Sequence, residues 1–360
     1  MRTVIALILA SARIVGAQPD TIRIAPSPAC GACRIITTPL FTLGASSGAG
    51  ELVGLPQPVT ADARGRLWVL QHGHAPWVFD STGRFIARVG RVGAGPGEYR
   101  SPRTVVSTPG DSVVVLDAST ARATVLSPEL RLARTVPLAV GPYSGAVLRW
   151  PDRVVLADAG GVNAVGARWQ LADLRTSVVR SESFGPLRPR RRYEDPSTAL
   201  QRLSATPTGG AWSLSEWRYE LLEFERNGEV RRLVTGTPEW LPSERRGGLG
   251  SRTEPPPAAL TAMWDGQDGL LWVVGRVPAS TFPEAWPSGR GEVTVARVGY
   301  EYLFDSVIEV LDLRRGVLVA RARVPGFVLS VLPGPRLVRY EVTEQGAVRL
   351  GVLGLRLEGW

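Results

Sequence analysis

At 360 residues, 44% hydrophobic and 21% charged, the chain can bury a large core. No apolar run reaches the ~18 residues that a membrane-spanning helix needs. A net charge of +9, carried by arginine with no lysine, could mean an acidic partner; beside abundant Ala, Gly, Val and Pro it reads as compositional bias, and no arginine–aromatic patch points to nucleic acid.

The chain opens like a secretory leader. Arg2 supplies a positive start, Val4 to Ala10 an apolar stretch, and Val15-Gly16-Ala17 a small-residue cleavage site before Gln18. A leader of residues 1–17 is therefore expected, ahead of one domain covering 18–360; a buried first strand is the alternative. No cysteine suited to lipid attachment sits at the cleavage site, so the product should be an exported, periplasmic or extracellular protein. Next come Cys30 and Cys33, the only cysteines. A local disulfide is expected in an oxidising compartment, with free thiols or a metal or redox pair as alternatives.

From there a strand module recurs about six times, counted by its turn-and-run pattern, with no helix between copies. Each copy has a turn, a wholly apolar run, an amphipathic strand, a second turn and a last strand. Arg-Gly-Arg-Leu-Trp-Val-Leu from Arg64, with the strands after Trp77, is the clearest copy. The runs at 67–70, 113–116, 154–156 and 270–274 lack alternation, as strands buried on both faces do. Such a module cannot cover its own faces, so copies must stack, which predicts an all-β propeller. Blades are expected at 58–90, 102–137, 143–185, 200–235, from 260 through 306–324, and 327–357. The last has three strands. The strand-like stretch 35–43 is expected to complete it, closing a six-bladed ring with chain from both ends.

The joint Gly90-Arg-Val-Gly-Ala-Gly-Pro-Gly-Glu-Tyr-Arg-Ser-Pro102, followed by Gly110-Asp-Ser-Val-Val-Val-Leu-Asp117, resembles the repeat joint of secreted bacterial six-bladed β-propellers, distantly like the NHL-repeat group. The resemblance spans nearly all of the mature chain and implies the fold more than an activity; the joints after Pro137, Gly185 and Thr235 depart from it. The glycine-rich joint is not a phosphate cradle, because Pro96 interrupts it and no helix follows.

Propeller topology sorts the loops. Joints between blades share one face with the loops between second and third strands, and the tight turns at 80–83 and 312–316 belong to the other. The excursions 185–199, 236–259 and 278–305 fall on the joint face, and loops beyond ~12–15 residues are usually functional or disordered. They carry Arg190, Arg191, Arg192 and Tyr193; Trp240, Arg245 and Arg246; and Trp286. These residues are the expected contacts for a protein or small anionic ligand. His72 and His74, the only histidines, belong to the same face as a half metal site, an acid–base pair or plain loop surface. The cysteines should start on the other face, roughly 20 Å away across a strand of about seven residues, so the four do not form a zinc site.

No Ser-His-Asp arrangement can be drawn, and Gly-x-Ser-x-Gly does not occur around any candidate serine. Asp62, Asp117, Asp158 and Glu216 could line the central channel, where lactonase-type propellers hold calcium; pairing with arginines or capping of turns is the simpler reading. The expectation is a monomeric binding or scaffold protein without catalytic residues or cofactor. The alternative is a lactonase-like hydrolase or lyase with a divalent cation in the channel.

Overall fold

The apolar runs become the middle strands of antiparallel sheets. A computed structural model of the chain describes residues 19–107, 111–138, 147–150, 153–158, 168–173, 178–183, 201–206, 210–225, 229–242, 255–266, 268–282 and 299–360. The leader at 1–17 lies outside them.

Among the described residues five sheets have four strands, one has five and one has two; apart from the two strands that the N-terminal segment adds, those of the larger sheets follow chain order up and down. The first sheet is Thr60–Ala61, Leu67–Val69, Trp77–Phe79 and Phe85–Arg88. The second is Pro102–Ser107, Val113–Asp117, Arg122–Leu126 and Leu132–Pro137. The third is Val147–Trp150, Arg153–Asp158, Arg168–Asp173 and Val178–Ser183, and the fourth contains Gln201–Ala205, Ala211–Ser215, Glu220–Phe224 and Val230–Gly236. The fifth is Ala259–Asp265, Leu270–Pro278, Phe304–Asp312 and Val317–Val324. The last joins Val328–Leu332, Arg336–Val342 and Val348–Glu358 to Arg34–Leu43, which pairs antiparallel with Val348–Glu358.

First strands touch in succession: each meets the first strand of the next sheet, and Val328–Leu332 returns to Thr60–Ala61. The fold is an all-β propeller. Burial explains the missing alternation. Leu67, Val69, Trp77 and Phe79 pack on Leu329, Val338 and Leu350 of the last sheet, while Trp68 and Val78, from the same strands, pack on Val105, Val113 and Val115 of the second. Outer strands such as Phe85–Arg88 and Leu132–Pro137 are largely exposed.

Four strands in every sheet does not hold. The fourth sheet gains Asp20–Ile24, parallel to Val230–Gly236 in the register Asp20↔Arg232 to Ile24↔Gly236. Ile24 is buried and Ile22 packs beside it, so this short strand covers a sheet edge that would otherwise offer unpaired backbone groups. The chain then runs along the rim of the fifth sheet, where Ala29 N–H donates to Leu318 O, before entering the last sheet.

The tight turns are held by their aspartates. Asp80 accepts the N–H groups of Thr82 and Arg84, and Asp312 those of Arg314 and Arg315. In the glycine-rich joint, Arg91–Val92 and Glu98–Tyr99 form a small parallel ribbon. Gly90 sits there at φ 78°, and a Cβ on it would collide with Gly97 O.

Candidate functional site

A groove of about 500 Å³ lies on the fifth sheet, against the joint that leads into it from the fourth. Glu239 and Trp240 enter from the joint between those sheets, and Pro278, Ala279 and Ser280 from the loop after Leu270–Pro278. Both belong to the joint face. Val277, Val307, Arg321 and Arg323 complete the lining.

Each wall is fixed by buried chemistry. Trp240 lays its ring on Gly275, where a Cβ would strike ring carbons. Its indole N–H donates to Glu309 Oε1 at 3.0 Å, and its ring meets Tyr219 edge-on at 6.4 Å. Glu309 is 1% exposed yet fully engaged: Arg321 Nε donates to Oε1 at 2.6 Å and the Tyr219 hydroxyl to Oε2 at 2.5 Å. Burial, then the charge of Glu309, pushes the Tyr219 phenol well above its usual range, so it remains a donor.

Arg323 forms the rim. Its Nε donates to Asp305 Oδ2 at 2.8 Å and its Nη2 to Pro278 O at 2.6 Å, while the side chain stays 48% exposed. Burial works to raise the Asp305 carboxyl. The Ser280 N–H, the Arg323 guanidinium and the Gly326 N–H overcome it and hold the group below the usual aspartate value. Arg323 is thus oriented by an ionised partner and still faces solvent.

His72 and His74 follow the strand Leu67–Val69 on the joint face. Gly73 N–H donates to Arg100 O, and the Gln71 amide ties the loop to the backbone of Val53 and Gly54. His72 is exposed; His74 is half-buried, 5.4 Å from the Trp77 ring, over which Arg88 stacks at 4.4 Å. Partial burial, then the charges of Arg88 and His72, lower the His74 pKa and favour its neutral form. No group of three or more His, Cys, Asp or Glu residues placed to hold a metal occurs among the described residues.

Of the four candidate channel carboxylates, Asp62, Asp117 and Glu216 are described, and each is engaged by donors of the chain. Asp62 accepts the N–H groups of Arg64 and Arg66 at Oδ1, and Arg66 Nε and Trp68 Nε1 at Oδ2. Asp117 accepts the N–H groups of Arg100, Ser101 and Thr120. Glu216 pairs with Arg276, whose guanidinium stacks on Trp217 and Phe304. Their oxygens already face donors, whereas calcium would need several turned toward one point. For Asp158 only the strand is described.

The cysteines stand apart from the histidines. Cys30 and Cys33 are joined as a disulfide, Cα to Cα 5.4 Å, just before Arg34–Leu43, and Cys33 packs with Leu353 and Leu355 of the last sheet. Arg190, Arg191, Arg192, Tyr193, Arg245, Arg246 and Trp286 lie outside the described residues. Of the expected ligand contacts, the structure therefore brings Trp240 into a cavity and places His72 and His74 elsewhere on the same face. In the sequence Arg323, Val277 and Val307 look like ordinary strand residues. Glu309 is visible there only as a carboxylate inside the apolar strand Phe304–Asp312.

No family model and no curated protein matches the sequence. The likeness is to solved structures. A candidate exported protein from Bacteroides fragilis superimposes with a TM-score of 0.58 at 9% identity, over 93% of this chain and 99% of that one. A member of the DUF4221 family from Bacteroides vulgatus does so with a TM-score of 0.59 at 12% identity, over 91% and 99%. What is shared is the fold. A catalytically inactive variant of virginiamycin B lyase from Staphylococcus aureus matches at a TM-score of 0.49 and 11% identity, over 90% of this chain and 100% of that one.

Proposed function

We propose that this chain is an exported β-propeller of residues 18–360 that binds a partner or an anionic ligand on its joint face and does no chemistry on it. Its sheets are read as six blades of one ring, NHL-like in its joint, with Arg34–Leu43 as the closing strand. Export is supported by the leader-like start and by the likeness to the Bacteroides fragilis protein. No helix among the described residues is long and apolar enough to cross a membrane.

The observation that carries the binding reading is the groove walled by Trp240 and Arg323. An apolar cavity of a few hundred Å³ with a few fixed polar groups is the usual form of a ligand site, and this one opens on the face with the long loops. The lactonase-like alternative would need calcium held by carboxylates that here face arginine, indole and backbone donors.

The test pairs metal content with polyanion capture. Purified protein should hold no stoichiometric calcium and melt at the same temperature with and without chelator. Changing Arg190, Arg191 and Arg192 together to alanine should weaken retention on heparin at unchanged melting temperature. A chelator-sensitive melt accompanied by turnover of a lactone would turn the assignment to the enzyme.

A further inference from the structure

We propose that the groove takes a small zwitterion with an apolar body, the chemistry of a free apolar amino acid or dipeptide: Arg323 receives the carboxylate, Glu239 the ammonium, and Trp240, Val277, Pro278 and Val307 the side chain. This rests on the binding reading above and names the ligand class for that site.

Three observations lead to it. First, the floor is apolar and rigid. The Trp240 ring is fixed by Glu309, Tyr219 and the bare backbone of Gly275, so the wall is set before any ligand arrives. Second, the rim carries both signs. Arg323 is half exposed; its Nε and one Nη2 N–H are taken by Asp305 and Pro278 O, which aims the rest of the guanidinium outward. Glu239, next to Trp240 on the joint, is exposed on the same cavity. A simple carboxylate would satisfy Arg323 and be repelled by Glu239; an amine would do the reverse. A ligand bearing both charges meets both groups. Third, Arg321, the other guanidinium of the lining, is neutralised by buried Glu309 and donates to Pro26 O. Among the described lining residues that leaves one outward cation, Arg323, and one outward anion, Glu239, a pairing that suits a ligand carrying both charges better than a polyanion.

The experiment is calorimetric titration of the full mature chain with four probes of one body: phenylalanine, N-acetylphenylalanine, phenethylamine and N-acetylphenylalaninamide. Leucyl-phenylalanine is added to separate a dipeptide from a single residue. Phenylalanine or the dipeptide should bind at least tenfold more tightly than any probe lacking a charge. Arg323→Gln should remove the advantage conferred by the carboxylate, and Glu239→Gln the advantage conferred by the ammonium. Because Glu239 is exposed, its variant keeps the test valid if Arg323→Gln disturbs the fold. Ala279→Trp, which fills the groove, should abolish binding of every probe. Equal affinity for all probes, no binding by any, or affinities unmoved by these substitutions would each overturn the proposal. Heparin retention and chelator-independent melting test the binding reading separately and would survive that failure.

Discussion

Gly275→Ala adds one carbon to a strand in the middle of the fifth sheet, and the structure says where that carbon goes. It meets Cη2 and Cζ3 of Trp240, with Ala259 O at 3.1 Å behind it. Forcing a methyl into a packed site costs about 1–3 kcal/mol if the ring stays. If the ring swings away instead, the indole hydrogen bond to ionised Glu309 is lost, about 1.5–3 kcal/mol for a bond to a charged group. Against either stands the gain of about 0.4–1 kcal/mol from restricting a glycine in the unfolded chain. The net expectation is a loss of about 1.5 kcal/mol, read as a lower urea midpoint at unchanged slope. Coupling decides the case. In a Trp240→Ala background the methyl finds most of its space vacated, so Gly275→Ala should there be nearly neutral. The reasoning fails if the two substitutions add within about 0.5 kcal/mol, since independent sites behave that way.

Deleting residues 30–44 removes the ten-residue strand Arg34–Leu43 from its pairing with Val348–Glu358 and should abolish the cooperative thermal transition; an unchanged melting temperature would refute the closing role. The neutral form of His74 is favoured in the folded protein, so its folded pKa lies below 6.5. As pH falls below that value the unfolded chain binds the proton first; stability is full above it and declines toward the folded pKa. His74→Gln should flatten urea-midpoint profiles between about pH 7 and 5, and a slope equal to the parent's would count against the reading.

The blade scaffold was legible because a strand packed on both sides must be apolar throughout, as Val113–Asp117 and Leu270–Pro278 are up to their ends. The N-terminal strand Asp20–Ile24 was not. It has five residues, begins just after the leader-like stretch 1–17, and its partner lies some two hundred positions away, at Arg232 for Asp20. The groove was half legible. Trp240 drew attention as an aromatic in a long joint, but its seat is a glycine in a buried strand, and glycine there signals close approach without naming the visitor. Glu309 announced a buried partner in the same way. Only the fold could supply Tyr219, Trp240 and Arg321 together. Where the described residues stop, the arginines of the long loops remain a matter of composition.

The N-terminal segment has a consequence for the order in which the molecule can be made. Asp20–Ile24 leaves the ribosome early but has nothing to pair with until Val230–Gly236 follows. Arg34 waits longer still, for Glu358, so both strands need partners made well after them. Pairings between residues so far apart in sequence are expected to form slowly. A chain cut before Val348–Glu358 should therefore leave Arg34–Leu43 without its antiparallel partner, however complete the other sheets are.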